Sequence, residues 1–318
     1  MPQPSPTTAR FDARVTAVFG RDLLVREPGG AEHRARARGR RLTVVCGDDV
    51  ACERDPTHGE VNVVEARPRR TALYRSNLRG EAEPVVANVS RLFVVLAPKP
   101  VPDLFVVDRY LAAATSAAIQ ATLVLNKRDL PIDADLQAEL GAYLDAGYST
   151  IACSARAGDG IEELLEASAD AVAALVGQSG VGKSSLIRRL IPEAEVQIGE
   201  LMREEEGRHT TTTSRMFDLP RGGHLIDSPG VRDFAPAIDR LDARDMGFTE
   251  VARLAPGCRF QDCQHMREPN CAVRGAAESG ALHPRRFESY RRLRRLYEDL
   301  VKARGPKYRP GQPPRDGD

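Results

Sequence analysis

No stretch of this 318-residue chain approaches the ~20 consecutive apolar residues that a membrane-spanning helix requires, so no membrane role is expected. Met1 to Arg10 is rich in Pro, Ser and Thr and has no apolar centre; it reads as a disordered tail, not a signal peptide. Net charge is nearly missing too, because 46 Lys/Arg against 45 Asp/Glu leave +1. Apolar content, at 42%, suffices for real cores, and the length fits two or three domains of a soluble protein. Cysteines are few. Of six, Cys46, Cys52 and Cys153 are scattered, whereas three others lie close together beside a histidine, a pattern of metal binding in a reducing, cytoplasmic compartment.

What is present changes character along the chain. From Phe11 to about Ala66 short alternating segments (Arg14–Phe19, Asp22–Arg26, His33–Arg38, Asp48–Cys52 and Val61–Glu65) are separated by turns such as Pro28-Gly29-Gly30. Five short strands in so little chain suggest a small closed barrel of the OB type. Period two places Arg34, Arg36 and Arg38 on one face. A solvated face is the plain reading; Arg69 and Arg70 in the following linker favour a nucleic-acid surface.

Beyond the linker, Val85–Ala97 and Thr122–Leu125 are runs of the buried parallel-strand type, separated by a helix around Asp108–Ala118. Then come a helix near Asp133–Ala146, a strand at Ser149–Cys153, a helix at Gly160–Ala169 and a strand at Val172–Val176. A helix opened by Lys183 and a hairpin of Ser214–Leu219 with His224–Ile226 complete the series. Such alternation makes a doubly wound α/β domain. The expected division is a tail at 1–10, the barrel at 11–70 and the α/β domain at 71–235. A helical metal-binding domain at 236–304 and a disordered tail at 305–318 follow.

Gly177-Gln178-Ser179-Gly180-Val181-Gly182-Lys183-Ser184, followed by Ser185, stands between an apolar strand and an apolar-periodic helix, the context of a phosphate loop. Its glycines let backbone N–H groups face phosphate oxygens; Lys183 would reach the β- and γ-phosphates, and Ser184 would ligate Mg²⁺. Asp227-Ser228-Pro229-Gly230 would alone be an ordinary turn. Placed after an apolar strand downstream of the loop, Asp227 can hold Mg²⁺ through water and the Gly230 N–H can sense the γ-phosphate.

Asn126-Lys127-Arg128-Asp129 ends another strand. Asp129 can accept from guanine N1–H and N2–H, Asn126 can brace the base edge, and the Lys127 stem can cover its face. Ser154-Ala155-Arg156, after the next strand, can offer a backbone N–H to guanine O6. The ligand implied is GTP. In an ordinary GTPase the phosphate loop comes first; here the guanine motif precedes it, which says circular permutation. The segment starting at Asp227 then leads almost directly into the C-terminal domain, so nucleotide state could move that domain.

Cys258-x4-Cys263-x-His265-x5-Cys271 supplies three thiolates and an imidazole, a set that suits one tetrahedral, structural Zn²⁺ per chain. Arg259 and Arg267 could offset the residual charge. The helix beyond is basic, with eight Lys/Arg against three acids from Arg285 to Arg304. Together they could form an RNA-facing surface.

These motifs, in this order, resemble the ribosome small-subunit-dependent GTPase A family of bacteria. The likeness spans barrel, permuted GTPase domain and zinc domain, and is most specific at Gly177–Ser185, Gly207–Thr213, Asp227–Arg232 and the Cys/His cluster. It implies a monomeric GTPase stimulated by the small ribosomal subunit, acting late in that subunit's maturation and binding its rRNA. In the threonine run, Thr211 is the expected further Mg²⁺ ligand. Val231 stands where many GTPases carry a water-orienting glutamine, and valine cannot orient water. His209 is the polar candidate in its place, and the resemblance points to it as well. Two other readings stand beside this one: a GTP-dependent ribosome-binding switch with incidental hydrolysis, and a phosphoryl-transfer enzyme, which the guanine motif disfavours.

Overall fold

The computed structural model describes residues 9–39, 42–77, 80–192, 214–232, 234–305 and 308. Five strands, β1 (Ala9–Phe19), β2 (Asp22–Arg26), β3 (Glu32–Ala37), β4 (Asp49–Arg54) and β5 (Val61–Ala66), close into the expected barrel through antiparallel pairing of β1 with β4. The alternation dictates what it buries: Val15, Leu23, Val25, Val50, Val61 and Val63 form its core. Ala9 and Arg10, expected in the tail, already pair with Arg54 and Glu53.

Next comes a hairpin, β6 (Ala72–Ser76) and β7 (Ala82–Ala87), and then β8 (Arg91–Leu96). The apolar run Val85–Ala97 is divided between β7 and β8. Asn88 breaks it: its backbone is left-handed at φ 54°, its side-chain oxygen accepts from Arg70 N–H at 2.9 Å, and its amide donates to the Gly47 carbonyl at 2.8 Å.

The α/β region continues with α1 (Leu104–Ser116), β9 (Gln120–Leu125), α2 (Ala134–Asp145), β10 (Ser149–Ala152) and α3 (Ile161–Ser168). It is completed by β11 (Val172–Gly177), α4 (Lys183–Leu190), β12 (Ser214–Asp218) and β13 (His224–Asp227). Asp103 and Asp133 start α1 and α2 by accepting backbone N–H bonds from Phe105 and Leu136. Strand order is β10-β9-β8-β11-β13-β12, parallel except for β12. Both faces are buried, as parallel strands demand. Leu92, Val94 and Leu96 of β8 pack with Leu111 and Tyr143 from α1 and α2. Phe93 and Val95 face the other way, onto Leu164 and Leu186 from α3 and α4. The fold is therefore doubly wound, with the guanine-type strand β9 and the phosphate-loop strand β11 on either side of β8.

One feature joins the sheet to the barrel. β12 pairs antiparallel with β1, at Ala17 with Arg215 and Val18 with Ser214, so a single hydrogen-bonded sheet runs through both.

A helical turn, α5 (Pro229–Arg232), leads to α6 (Thr249–Leu254), α7 (Ala272–Glu278) and the long α8 (Pro284–Arg304). Their core gathers Phe248, Val251, Val273, Tyr290 and Leu293, with Ala112 of α1. Chain contact with α1 is so close that a Cβ on Gly247 would lie 2.2 Å from the Ala112 carbonyl oxygen.

Part of the basic stretch at 285–304 is turned inward. Arg286, 1% exposed, donates from Nε and Nη2 to Glu250 and from Nη1 to Asp108. Arg285 bonds Asp108 and Glu139, and the buried Arg294 bonds Glu298 and the Ala243 carbonyl. Asp108 and Glu139 belong to α1 and α2, so Arg285 and Arg286 fasten α8 to the sheet domain, while Arg292, Arg295 and Lys302 remain exposed. Arg69 pairs with the fully buried Asp48, whereas Arg36 and Arg38, on the same exposed face as Arg34, pair at the surface with Asp22 and Glu53. In the segment expected to be a disordered tail, Tyr308 donates to Asp239 at 2.5 Å.

Candidate functional site

All the parallel strands point their carboxyl ends to one edge, where ligands of open α/β sheets bind. Gly177 ends β11, Asn126 follows β9, Ser154 follows β10 and Asp227 ends β13. Four motifs far apart in sequence thereby converge.

The phosphate loop runs from Gly177 into α4. Lys183 is buried, and its ammonium donates to the Gly177 carbonyl at 2.6 Å and the Gln178 carbonyl at 2.9 Å. The Gln178 side chain accepts from Asp103 N–H at 2.9 Å, tying the loop to the start of α1. Val181 is fully buried, while Ser179 and Gly180 are exposed. Gly182 has φ 98°, and a Cβ there would sit 2.3 Å from the Asn126 amide nitrogen. Only glycine fits between the two motifs. Ser184 and Ser185 lie in the first turn of α4.

Asn126 is 1% exposed and joins three segments: Nδ2 donates to the Val181 carbonyl at 2.8 Å, and Oδ1 accepts from Ala155 N–H at 3.0 Å. Lys127, left-handed at φ 62°, donates to the carbonyls of Lys99 and Gly180 at 2.8 and 2.7 Å, which lays its stem across the loop. Arg128 N–H donates to the Cys153 carbonyl at 3.0 Å. Ser154 donates its hydroxyl to Asp129 at 2.6 Å, and this bond, more than any other influence, holds the exposed Asp129 carboxyl below its ordinary range. An ionised Asp129 at the rim is the acceptor that guanine N1–H and N2–H call for.

Arg189 belongs to the site as well. From α4 it donates to the carbonyls of Ala155 and Arg156 at 2.8 and 3.0 Å, clamping the second guanine loop to the helix behind the phosphate loop. No motif marks it; only helix placement does.

Asp227 and Ser228 are buried, and the Ser228 hydroxyl shares a 2.6 Å bond with Ser214. Val231 is 1% exposed and packs in the core beneath the sheet. Its side chain is thus structural. His209 and Thr211, with the rest of 193–213, lie outside the described residues.

The second site is metal-type. Ligand atoms of Cys258, Cys263, His265 and Cys271 all lie within 4.8 Å of one another. Cys258 and Cys271 sulfurs are 3.8 Å apart, and His265 Nδ1 is 3.5 and 3.4 Å from them. A tetrahedron with ~2.3 Å metal–sulfur bonds has edges of about that length, so the set fits a four-coordinate ion with no open position. Burial pushes the Cys263 thiol up to about 12 and His265 below its ordinary value, which keeps the imidazole neutral, as a ligand must be. Arg274 N–H, in the first turn of α7, points at the Cys271 sulfur from 3.5 Å. Glu268 braces the loop. Burial acts to raise its pKa, but the N–H groups of Gln264, Arg267, Glu268 and Met266 outweigh that and lower it to about 2.

Comparison with known proteins agrees with this geometry. A family model described as RsgA GTPase matches residues 66–236. A relative from Azotobacter vinelandii, named small ribosomal subunit biogenesis GTPase RsgA, is 43% identical over 287 residues, covering 88% of this chain and 83% of its own. One of the same name from Pseudomonas aeruginosa is 42% identical over 284 residues, covering 88% and 84%. Among solved structures, YjeQ from Thermotoga maritima superposes with a TM-score of 0.70 at 26% identity, over 91% of this chain and 99% of that one. YloQ, described as a circularly permuted GTPase, gives 0.69 at 23% identity over 94% and 98%, a likeness of fold.

Proposed function

This chain belongs to the RsgA GTPase family and is a GTP hydrolase; from that premise we propose that it hydrolyses GTP to GDP and phosphate under stimulation by the small ribosomal subunit, late in that subunit's maturation. The observation that carries the reading is the convergence of Asn126, Asp129 and Ser154 with the loop at Gly177–Ser184 on one sheet edge.

Each residue then has a role. Asp129 accepts from the guanine edge, Asn126 fixes the base loop to the phosphate loop, Lys127 covers the base face, and the turn Ser154-Ala155-Arg156 offers a backbone N–H to O6. Backbone N–H groups from Gly177 to Ser185 cradle the phosphates, joined by Lys183. Ser184, Thr211 and Asp227 would hold Mg²⁺, which neutralises charge on the β- and γ-oxygens when bound. Gly230 N–H meets the γ-phosphate, and His209 orients the attacking water. At the Cys258 cluster the ion is zinc, and its work is structural. The protein acts as a cytoplasmic monomer, contacting rRNA through the barrel and zinc-bearing surfaces left free. The working division is barrel, permuted GTPase domain and zinc domain, near residues 70 and 235.

A GTPase assay with and without purified small subunits, paired with Lys183→Ala, tests this. Stimulated turnover lost in the variant is expected; no stimulation removes the ribosome from the claim and leaves the GTP site standing.

Burial of Val231 favours one second reading, a switch in which GTP holds a conformation and hydrolysis is incidental. Single-turnover hydrolysis discriminates: a rate that subunits fail to raise supports the switch.

A further inference from the structure

Neither site uses the hairpin β6–β7, yet it touches both ends of one segment. At the start of that segment, a Cβ on Gly230 would meet Val85 Cγ1 at 3.4 Å and Arg75 Nη1 at 3.6 Å, so the Arg75 guanidinium lies beside the glycine. At the far end, the Arg75 backbone forms an antiparallel bridge with Pro236, and the Tyr74 carbonyl accepts from Ala237 N–H at 2.9 Å. Glu83, opposite Arg75 on β7, aims the side chain by accepting from its Nε at 2.5 Å. Between the two ends, Val231 is anchored in the core.

Energetics argue that this arrangement holds geometry more than stability. The Arg75 and Glu83 side chains are 46% and 37% exposed, and ion pairs so open to water contribute little to folding. A guanidinium fixed at two points by Glu83 nonetheless limits where the Gly230 backbone can move.

We propose that Arg75 is a positioning residue for GTP hydrolysis. It backs Gly230 from the hairpin side, while residues 74 and 75 hold the chain at 236 and 237, so the Gly230 N–H stays aligned with the γ-phosphate. The inference rests on the proposed role of Gly230. Its mark is selectivity: GDP has no γ-phosphate, so a group acting only through Gly230 affects GTP turnover and leaves GDP binding alone.

The test uses the full chain and the variants Arg75→Ala, Arg75→Lys and Glu83→Gln, measuring GTP turnover with and without small subunits, GDP affinity and melting temperature. Arg75→Ala is expected to lower kcat about tenfold or more with KM nearly unchanged, since small misplacements at a reacting centre are costly. Arg75→Lys should restore part of the rate, because it keeps the charge but loses the planar fork. Glu83→Gln should fall between wild type and Arg75→Ala, with GDP affinity and melting temperature unchanged throughout. An unchanged kcat in Arg75→Ala overturns the proposal. So does a parallel fall in kcat, GDP affinity and melting temperature, which would make the hairpin merely structural. Wild type without any GTP turnover would instead sink the reading of the nucleotide site itself, and the Arg75 proposal with it.

Discussion

Arg286 Nη1 donates to Asp108 Oδ1 at 2.7 Å, joining α8 to α1 through two side chains that are 1% and 0% exposed. Around them Glu250 takes the other edge of the guanidinium, Arg285 takes the second Asp108 oxygen, and the Phe248 ring lies 4.7 Å from the Arg286 carbon. Burial acts to lower the Arg286 pKa, but Asp108 and Glu250 outweigh it and raise it. Asp108→Ala takes a buried acceptor from both Arg286 and Arg285, which then keep only Glu250 and Glu139, at the seam between the helical region and the sheet domain. A loss of about 2–4 kcal/mol is expected, read by denaturant unfolding. A loss below about 1 kcal/mol would mean that Glu250 and Glu139 suffice.

Asp129→Ala should remove the acceptor for the guanine edge and cost at least about a hundredfold in GTP affinity, without gaining ATP. Ser154→Ala removes one hydrogen bond to that carboxylate and should cost about tenfold or less. Nucleotide titration checks both, and equal losses in the two variants would contradict the assigned roles.

His209→Ala is expected to depress subunit-stimulated turnover while leaving GTP affinity nearly intact, since a water-orienting group acts after binding. Val231→Gln should not replace it. That side chain is packed under the sheet, so the substitution buries an amide and lowers the melting temperature without raising the rate. Steady-state assays and thermal melts check the pair; a faster Val231→Gln enzyme would show that the residue can reach the nucleotide.

Metal analysis of the purified protein should give close to one zinc per chain, with Cys258, Cys263 and Cys271 reduced. Chelation should unfold the helical region first, because three thiols and an imidazole brought within 4.8 Å pack poorly without a cation among them. Circular dichroism before and after chelation reads this. Retained helix and an unchanged melting temperature would argue against a structural ion.

Glu268 gives the metal loop a pH dependence of defined sign. Its folded value of about 2 lies below the ordinary 4.5, so its stabilisation is fully present above about 4.5 and is lost as pH falls toward 2. Glu268→Gln should therefore melt below wild type near neutral pH, and the gap should narrow in acid. Melting curves across that range check it; a constant gap would assign the effect to packing.

The local chemistry was legible in the sequence. Period-two strands, glycine spacing in the phosphate loop, Asn-Lys-x-Asp at a strand end and the Cys/His spacing each follow from short-range geometry, and the structure brings their described residues together. Short-range patterns cannot say which partner a charged side chain meets. That Arg285 and Arg286 serve helix packing was not legible, because their acids, Asp108, Glu139 and Glu250, are 36 to 178 residues away. Arg189 behind Ala155, Arg75 beside Gly230 and the pairing of β12 with β1 were invisible for the same reason. Sequence by itself singled out groups whose chemistry suits guanine, phosphate and a metal, since those capacities belong to residue types at fixed spacings. Tertiary structure alone decided which arginines stay free, what backs Gly230 and how the barrel joins the sheet, because those depend on long-range packing that no local pattern encodes.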